Sequence, residues 1–185
     1  MTIPYKEEII PYLDKLSKTA KKIGAVNCVT ISKKKKLKGY NTDYHGFKKS
    51  IKPLLKDHHK KALILGTGGA SKAIAYALRS LKIEYDFVSR TADEFQYKYE
   101  ELDASIFEEY TVIINTTPVG THPNVNDCPN LDYSLFTKKH IAYDLIYNPE
   151  ETAFLRKAKA KGAATKNGYE ILVLQAEKAW KIWNE

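Results

Sequence analysis

The sequence is poor in cysteine and has no long apolar run. Its two cysteines, Cys28 and Cys128, are far apart and lack the spacing of metal ligands. We therefore expect free thiols in a reducing compartment, the cytoplasm, and no metal site. No apolar run approaches the length of a membrane-spanning helix, and the residues after Met1 do not have the pattern of a secretory signal. The sequence thus predicts a cytoplasmic protein with no membrane partner.

Arginine is also scarce, although the chain is basic. The formal net charge is +8, but Arg79, Arg90 and Arg156 are the only arginines. Lysines are spread along predicted helices and one turn, Lys33–Lys36, without an arginine-rich or aromatic-interleaved patch. We interpret them mainly as solvated faces, so no nucleic-acid partner is predicted. A nucleic-acid binder is the alternative, and only the net charge supports it.

One stretch has the pattern of a strand, a glycine turn, a helix and a second strand. The apolar run Ala62–Leu65 is too short for a helix and suits a buried parallel strand. Gly66, Gly68 and Gly69 follow, after which apolar residues recur at helical spacing. A second apolar run, Tyr85–Val88, completes a βαβ unit of the kind that binds a dinucleotide.

The glycines would give a dinucleotide access to the backbone. Gly66 lets the chain leave the strand in a conformation that other residues resist. Gly68 and Gly69 lack a Cβ, so a pyrophosphate can approach the N–H groups at the N-terminus of the helix. Ser71 stands where a strict G-x-G-x-x-G pattern has its third glycine. A tight turn without a ligand is the alternative, and the flanking strands and helix favour the nucleotide site.

The end of the second strand bears on which cofactor binds. NAD-binding units usually place Asp or Glu there, whereas NADP-binding units place a basic group near the 2′-phosphate. Here the strand runs into Ser89, Arg90 and Thr91. A guanidinium fork suits a phosphate, so the sequence favours NADP. A solvated arginine is the alternative interpretation of Arg90.

The segments before this unit predict a smaller lobe. Its predicted elements are a helix with a kink or a division at Pro11, a hairpin and a second helix, over residues 5–22, 25–41 and 44–55. Gly24 is the stop signal of the first helix. Thr42 or Asp43 is the predicted N-cap of the second helix.

The segments after the unit predict the rest of a parallel sheet. Strands are predicted over residues 111–115, 141–146 and 163–166, and helices over 150–161 and 169–183. Residues 116–120 form a loop at the carboxyl end of a strand, which is the ligand side of an open parallel sheet. The predicted fold class is α/β, with a Rossmann-like doubly wound parallel sheet and a smaller α/β lobe. The predicted domains are residues 1–57 for the smaller lobe, 58–167 for the nucleotide-binding domain and 168–185 for a helix returning to the smaller lobe.

Several segments, taken in order, resemble those of shikimate dehydrogenases over nearly the whole chain. The matching segments are Thr2-Ile3-Pro4-Tyr5-Lys6, Gly24-Ala25-Val26-Asn27, Gly39-Tyr40-Asn41-Thr42-Asp43, Gly66-Thr67-Gly68-Gly69-Ala70, Ser89-Arg90-Thr91, Asn115-Thr116-Thr117-Pro118-Val119-Gly120, Asp144-Leu145-Ile146-Tyr147-Asn148-Pro149 and Leu172-Val173-Leu174-Gln175-Ala176. The resemblance implies a two-lobed enzyme that reduces 3-dehydroshikimate to shikimate with NADPH, a step of aromatic amino-acid biosynthesis.

The resemblance also implies roles for individual residues. Lys6 and Asp43 would form the catalytic pair beside the reacting ketone or hydroxyl. On spacing alone, a solvated lysine and an ordinary helix N-cap are the alternative interpretations of these two residues. The substrate-binding residues would be Thr2, Asn27, Tyr147 and Gln175, with the tyrosine near the substrate carboxylate. The cofactor-binding residues would be Gly66, Thr67, Gly68, Gly69, Ala70, Ser89, Arg90, Thr91, Thr116, Val119 and Gly168.

Departures from the family pattern leave alternatives open. The family's Ser-x-Ser segment, which anchors the substrate carboxylate, has no counterpart in these residues. The resemblance therefore implies an incomplete substrate lobe, slow turnover of shikimate by this chain, and self-association, as a homodimer, through exposed sheet edge and apolar surface. Ser89 and Glu94 stand where the family often has Asn and a second basic residue. The alternatives are a truncated or non-catalytic NADP-binding module, or a quinate/shikimate dehydrogenase that uses NAD.

Overall fold

The smaller lobe is built on a three-stranded sheet. The computed structural model describes residues 5–185. Strands β1 (Lys15–Leu16), β2 (Cys28–Ile31) and β3 (Leu37–Tyr40) lie in the order β1-β3-β2. β3 is antiparallel to β2 and parallel to β1. The predicted hairpin is therefore confirmed.

The single helix predicted over residues 5–22 is wrong. The chain forms a 3-10 turn at Ile10–Tyr12, then β1, then the short helix α1 (Lys18–Ile23). Pro11 lies in the first turn of the 3-10 segment, where its missing N–H costs no hydrogen bond. The division at this proline is nearer to the structure than a kink, but the first piece is a 3-10 turn and a strand separates the two.

Helix α1 has its own start and stop signals. The Ser17 side chain accepts a hydrogen bond from the Ala20 N–H at 3.1 Å, so a new helix begins there. Gly24 ends the helix in the left-handed conformation, with φ 73°, as predicted.

The second helix of this lobe, α2 (Asp43–Ile51), begins close to the predicted residue. Thr42 occupies the N-cap position, but its side chain makes no capping hydrogen bond. Asn41 supplies one instead, since its Oδ1 accepts from the Tyr44 N–H at 3.3 Å. A 3-10 turn at Lys52–Leu54 follows, so the regular helix is shorter than predicted. The Thr42 side chain is thus left for other contacts, described below.

Six parallel strands form the second sheet, in the order β6-β5-β4-β7-β8-β9. The strands are β4 (Lys61–Leu65), β5 (Glu84–Val88), β6 (Gln96–Tyr97), β7 (Val112–Asn115), β8 (Ile141–Asp144) and β9 (Ala164–Lys166). The chain starts at β4, fills one side of the sheet, and then crosses to β7 on the other side. The crossing point lies between Leu65 and Asn115, which are paired at the carboxyl ends of their strands. The predicted α/β class is confirmed, and ligands bind at such crossing points.

Helices cover both faces of this sheet. They are α3 (Gly69–Ser80), α4 (Ala104–Glu109), α5 (Ala153–Lys159) and α6 (Tyr169–Trp183). Ile64 packs in one core with residues of α2, α3 and α6, and Leu65 packs in another with residues of α4 and α5. Successive residues of a strand point to opposite faces, so both faces are apolar. No helix within residues 5–185 is long and apolar enough to cross a membrane.

Helices α2 and α6 lie together on the large sheet, although they are far apart in the chain. Phe47 of α2 and Ile171 of α6 belong to the same core as the sheet. Ser50 Oγ and Tyr143 Oη are 2.6 Å apart, which joins α2 to β8. The packing brings residues 43 and 175 within reach of one site, while the domain boundaries at 57/58 and 167/168 stay a prediction.

Candidate active site

An ion pair between Lys6 and Asp43 lies at the centre of the candidate site. Lys6 Nζ is 2.7 Å from Asp43 Oδ2, and the side chains are 15% and 17% exposed. The Lys6 carbonyl accepts a hydrogen bond from the Val26 N–H at 2.7 Å, which holds the segment beside the chain that enters β2. Asp43 is the first residue of α2, where the helix dipole favours a negative charge. The structure thus brings together the two residues predicted as the catalytic pair.

Asn27 orients the carboxylate of this pair. Its Nδ2 donates to Asp43 Oδ1 at 2.8 Å and to Thr42 Oγ1 at 2.9 Å. Its Oδ1 accepts from the Thr42 N–H at 2.7 Å. Because one carboxylate oxygen faces Lys6 and the other faces Asn27, Asp43 has little freedom to rotate.

Gln175 reaches the same cluster from α6. Its Oε1 lies 3.3 Å from Thr42 Oγ1 and 3.5 Å from Asn27 Nδ2. Its Nε2 donates to the Leu172 carbonyl at 2.9 Å, which fixes the amide. Residues that are 148 positions apart in the chain therefore meet in one polar cluster.

Thr42 is also a member of the cluster. The sequence pattern indicated only a helix-capping role for it. It is fully buried, and its side chain contacts both Asn27 and Gln175. A helix N-cap and a site residue have the same local sequence, so spacing could not separate them. The run of three polar residues, Asn41 to Asp43, was the available signal.

Two predicted substrate residues remain, Thr2 and Tyr147. Thr2 lies outside the described residues. Tyr147 follows the carboxyl end of β8 and is 50% exposed. Its place near a substrate carboxylate stays a prediction.

The glycine loop after β4 has the features of a phosphate-binding turn. Gly66 has φ +100°, and a Cβ there would come within 2.9 Å of the Thr117 side chain. A Cβ built on Gly68 would meet no atom of the described residues within 4 Å, so the backbone is open to a ligand. Gly68 is also the N-cap of α3 and offers no side-chain cap. Ser71 Oγ donates to the Gly68 carbonyl at 2.6 Å, which closes the turn without a third glycine.

The phosphate loop adjoins the ion pair. A Cβ on Gly69 would lie 3.4 Å from both Lys6 Cβ and Glu7 Oε1. Glu7 also forms an ion pair with Lys72, on the first turns of α3. The segment that carries Lys6 is therefore in contact with the start of the helix that would hold the pyrophosphate.

The residues after β5 present a basic group at the ligand-facing edge. Ser89 Oγ accepts from the Thr91 N–H at 3.2 Å, and the Ser89 N–H donates to the Tyr97 carbonyl at 2.9 Å. Arg90 is exposed, and no carboxylate within residues 5–185 forms an ion pair with it. A guanidinium in that position can donate hydrogen bonds to a phosphate.

The loop after β7 lies at the crossing point of the sheet. Thr116 Oγ1 donates to the Leu65 carbonyl at 2.6 Å, which ties the loop to β4. Val119 is 37% exposed and is held by a hydrogen bond from its N–H to Thr117 Oγ1 at 3.3 Å. Both predicted cofactor residues of this loop are thus at the ligand-facing edge.

Gly168 has a structural reason to be glycine. A Cβ there would lie 1.9 Å from the Leu145 carbonyl oxygen, which no side chain can tolerate. Its N–H donates to the Ile146 carbonyl at 2.9 Å. Its close approach to the end of β8 fixes the start of α6, and its contact with a cofactor stays a prediction.

Comparison with known proteins identifies the family. Residues 1–29 match the family described as the shikimate dehydrogenase substrate binding domain. The shikimate dehydrogenase (NADP(+)) of Carboxydothermus hydrogenoformans is 40% identical over an alignment of 198 positions, gaps included, which covers 99% of this chain and 70% of that protein. The chain belongs to the shikimate dehydrogenase family. The resemblance found in the sequence motifs is thereby confirmed.

Solved structures of shikimate dehydrogenases share the fold. The enzyme from Aquifex aeolicus superposes with a TM-score of 0.86 at 41% identity, over 99% of this chain and 70% of that one. Shikimate 5-dehydrogenase from Thermus thermophilus, solved in complex with NADP(H) and shikimate, gives 0.84 at 36% identity, over 98% and 70%. The two-sheet arrangement is therefore that of the family.

Proposed function

We propose that this chain interconverts 3-dehydroshikimate and shikimate with NADP, and that Lys6 transfers the proton of the reaction. Membership of a family whose relatives are NADP(+)-dependent shikimate dehydrogenases supports the activity. The observation that carries the assignment of the proton donor is the 2.7 Å Lys6–Asp43 pair against the start of α3. The proposed proton donor therefore lies beside the loop proposed to hold the cofactor.

NADPH, when bound, supplies the hydride that adds to the ketone carbon of the substrate. Lys6 would place its ammonium beside the ketone oxygen, where negative charge develops, and would then donate its proton to that oxygen. In the opposite direction, neutral Lys6 would take the proton from the hydroxyl. The Lys6 side chain is only 15% exposed, so it is largely shielded from solvent.

Asp43 would hold the Lys6 ammonium in place through their 2.7 Å ion pair. Asn27, by holding the second carboxylate oxygen, would prevent Asp43 from turning away. The amide and hydroxyl groups of Asn27, Thr42 and Gln175 offer further partners for the substrate hydroxyls. The negative charge of Asp43 would also disfavour a second anion at this end of the substrate.

The cofactor lobe fits a dinucleotide with a 2′-phosphate. The open position at Gly68 and the uncapped N-terminus of α3 suit a pyrophosphate. Arg90 would hold the 2′-phosphate, with Ser89 and Thr91 beside it. Thr67 and Ala70 would contribute backbone N–H groups next to the glycines. These residues support NADP over NAD as the cofactor.

Cellular location and assembly are proposed from the cysteine thiols and from exposed apolar side chains. Cys28 and Cys128 are both free thiols, and burial raises the pKa of Cys28, so it is unreactive. We propose the cytoplasm as the compartment, because free thiols suit a reducing environment. Self-association as a homodimer is proposed on the exposed side chains Ile31, Trp180 and Trp183.

A paired binding and turnover experiment tests this function. NADP+ and NAD+ are titrated by calorimetry, and NADPH formation is then followed with shikimate or quinate. We expect tighter binding of NADP+ than of NAD+, and slow turnover of shikimate that Lys6→Ala lowers by roughly 10²–10⁴. Lys34→Ala, at an exposed lysine of the β2–β3 turn, is the matched control and should leave turnover unchanged. NADP+ binding with no shikimate turnover, even at high enzyme concentration, would support a non-catalytic binding module instead.

A further inference from the structure

A second carboxylate at the ligand-facing edge has no part in the proposed chemistry. Asp144 ends β8 and is fully buried. Its Oδ2 accepts a hydrogen bond from Thr152 Oγ1 at 2.6 Å. Its Oδ1 accepts from the Ile146 N–H and from Asn115 Nδ2, both at 3.1 Å. The carboxylate is therefore held by three neutral donors and by no cation among the described residues.

Asn115 carries the influence of Asp144 to the loop after β7. An ionised carboxylate can only accept hydrogen bonds, so Asn115 must turn its NH₂ toward Asp144. Its Oδ1 then faces Thr117, whose N–H and Oγ1 donate to it at 3.0 and 2.6 Å. Thr117 Oγ1 has an acceptor site left, which receives the Val119 N–H at 3.3 Å. The Asp144 carboxylate thus sets the orientation of Asn115, and Asn115 sets the orientation of Thr117.

We propose that Asp144 is a positioning residue for the cofactor, which acts through Asn115 to fix the loop 116–120. The inference rests on the proposed function and on the cofactor-binding roles that the family resemblance implies for Thr116 and Val119. This role requires no contact between Asp144 and the cofactor.

The other partners of Asp144 anchor it. Thr152 is the N-cap of α5, and its Oγ1 accepts from the Leu155 N–H at 3.3 Å. The Ile146 N–H ties the carboxylate to the segment that leads to Tyr147. One buried group thus connects the start of α5, the end of β8 and the cofactor loop. A shift of that group would be felt at all three.

Protonation would weaken this arrangement. Burial raises the pKa of Asp144 to about 6. A neutral carboxyl group is a weaker acceptor than a carboxylate and carries a donor on one oxygen, so its hydrogen bonds with the three partners weaken or reverse. The side chains that reach it from β7 and α5, Asn115 and Thr152, are neutral. Tyr133, from the 3-10 turn at Tyr133–Leu135, also interacts with it, but burial raises the pKa of that phenol, so it stays neutral in this range.

The test compares Asp144→Asn with the wild-type protein between pH 5 and pH 8. The NADP+ dissociation constant is measured by calorimetry, and amide hydrogen exchange at Thr117 and Val119 is measured without cofactor. At pH 7.5 we expect about tenfold weaker binding and faster exchange at both amides in the variant. Below pH 6 the ratio of the two affinities should approach one, because protonated Asp144 resembles Asn. Titration of the 2′-phosphate affects both proteins and cancels in this ratio.

Two further variants separate positioning from general damage. Thr152→Val removes the donor to Asp144 Oδ2 but leaves the contact between Oδ1 and Asn115, so exchange at Thr117 and Val119 should rise less than in Asp144→Asn. Thr117→Val removes the hydroxyl between Asn115 and Val119 and should weaken NADP+ binding in the same direction as Asp144→Asn. If Asp144→Asn does not fold, Thr117→Val serves as the test in its place.

The possible results decide between the two proposals. Unchanged exchange at Thr117 and Val119 in Asp144→Asn, or an affinity ratio independent of pH, would overturn the positioning role. If the wild-type protein binds no NADP+, the proposed function fails, whereas the exchange measurement still decides whether Asp144 orders the loop. Faster exchange with unchanged NADP+ affinity would also overturn the role in cofactor positioning.

Discussion

Asp43 and Asp144 are carboxylates at the ligand-facing side of the molecule, in surroundings that differ in every important respect. Asp43 pairs with the Lys6 ammonium at 2.7 Å and is 17% exposed. Asp144 is fully buried, and within residues 5–185 its hydrogen-bond donors are all neutral. A charge beside a cation and within reach of solvent can take part in proton transfer. A charge buried among neutral donors instead fixes the positions of the groups that donate to it.

The largest effect is expected at Lys6, on the side of Asp43. Lys6→Ala removes the ammonium that would stabilise and protonate the developing oxyanion, so kcat should fall by roughly 10²–10⁴. Cofactor affinity should stay close to wild type, as calorimetry with NADP+ would show. Wild-type kcat in this variant would mean that Lys6 is a solvated lysine with no part in the chemistry.

Asp43→Asn should act in the same direction with a smaller effect. The amide keeps the shape but provides no charge to hold the ammonium, and we expect kcat to fall by roughly 10–10³. Steady-state assays with shikimate and saturating NADP+ measure it. A change confined to KM would instead assign Asp43 to substrate binding alone.

The comparison predicts a pH dependence of stability at Asp144. Because its folded-state pKa, about 6, lies above the unfolded value of 3.8, the contribution to stability is present below about pH 4 and is lost as pH rises through 6. The wild-type free energy of unfolding, relative to Asp144→Asn, should therefore fall by up to about 3 kcal/mol between pH 4 and 7. Urea titrations at four pH values measure this difference.

Three histidines contribute to the pH dependence with the opposite sign. Burial lowers the pKa values of His45, His59 and His140, so their contribution is lost as pH falls below about 6.5. All three are present in wild type and in Asp144→Asn, and their effects cancel in the difference. A difference that does not change with pH would show that Asp144 is not the buried ionising group described here.

At the proposed cofactor site, Arg90→Ala tests a group that pairs with neither Asp43 nor Asp144. Loss of a charged hydrogen bond to the 2′-phosphate should weaken NADP+ binding by about tenfold to a hundredfold. NAD+ lacks this phosphate, so its affinity should hardly change. Equal losses for both cofactors would remove the assignment of Arg90.

A third carboxylate, Glu7, gives the smallest expected effect. It is paired with Lys72, but the two side chains are 42% and 40% exposed. Solvent screens such a pair, so Glu7→Gln should change the free energy of unfolding by less than about 1 kcal/mol. Urea denaturation measures it beside Asp144→Asn. A loss above about 2 kcal/mol would show that the Glu7–Lys72 ion pair stabilises the fold strongly despite its exposure to solvent.

Local patterns predicted most of the fold. The β4–α3–β5 unit lies within about one residue of its predicted bounds at each end, because its periods and glycines are encoded in adjacent residues. The helix predicted over residues 5–22 was wrong because the apolar spacing outweighed Pro11 and the capping signal of Ser17. Start and stop signals were more reliable there than periodicity.

The site was less accessible to sequence reasoning than the fold. Lys6, Asp43, Asn27 and Gln175 were found through resemblance to a family, and the structure brings them together. Thr42 was missed because its contact with Gln175 spans 133 positions. Asp144 was recognised only as part of a predicted strand and of a segment that matches the family, since its burial depends on β7 and α5, which no local pattern describes.

A double-mutant cycle on kcat tests most directly whether Lys6 and Asp43 act as one unit. Wild type, Lys6→Ala, Asp43→Asn and the double variant are assayed with shikimate and saturating NADP+. If Asp43 works through Lys6, the double variant should have nearly the same kcat as Lys6→Ala, because the carboxylate has no ammonium left to hold. A double variant whose loss equals the product of the two single losses would show that the residues act independently, and would contradict the account.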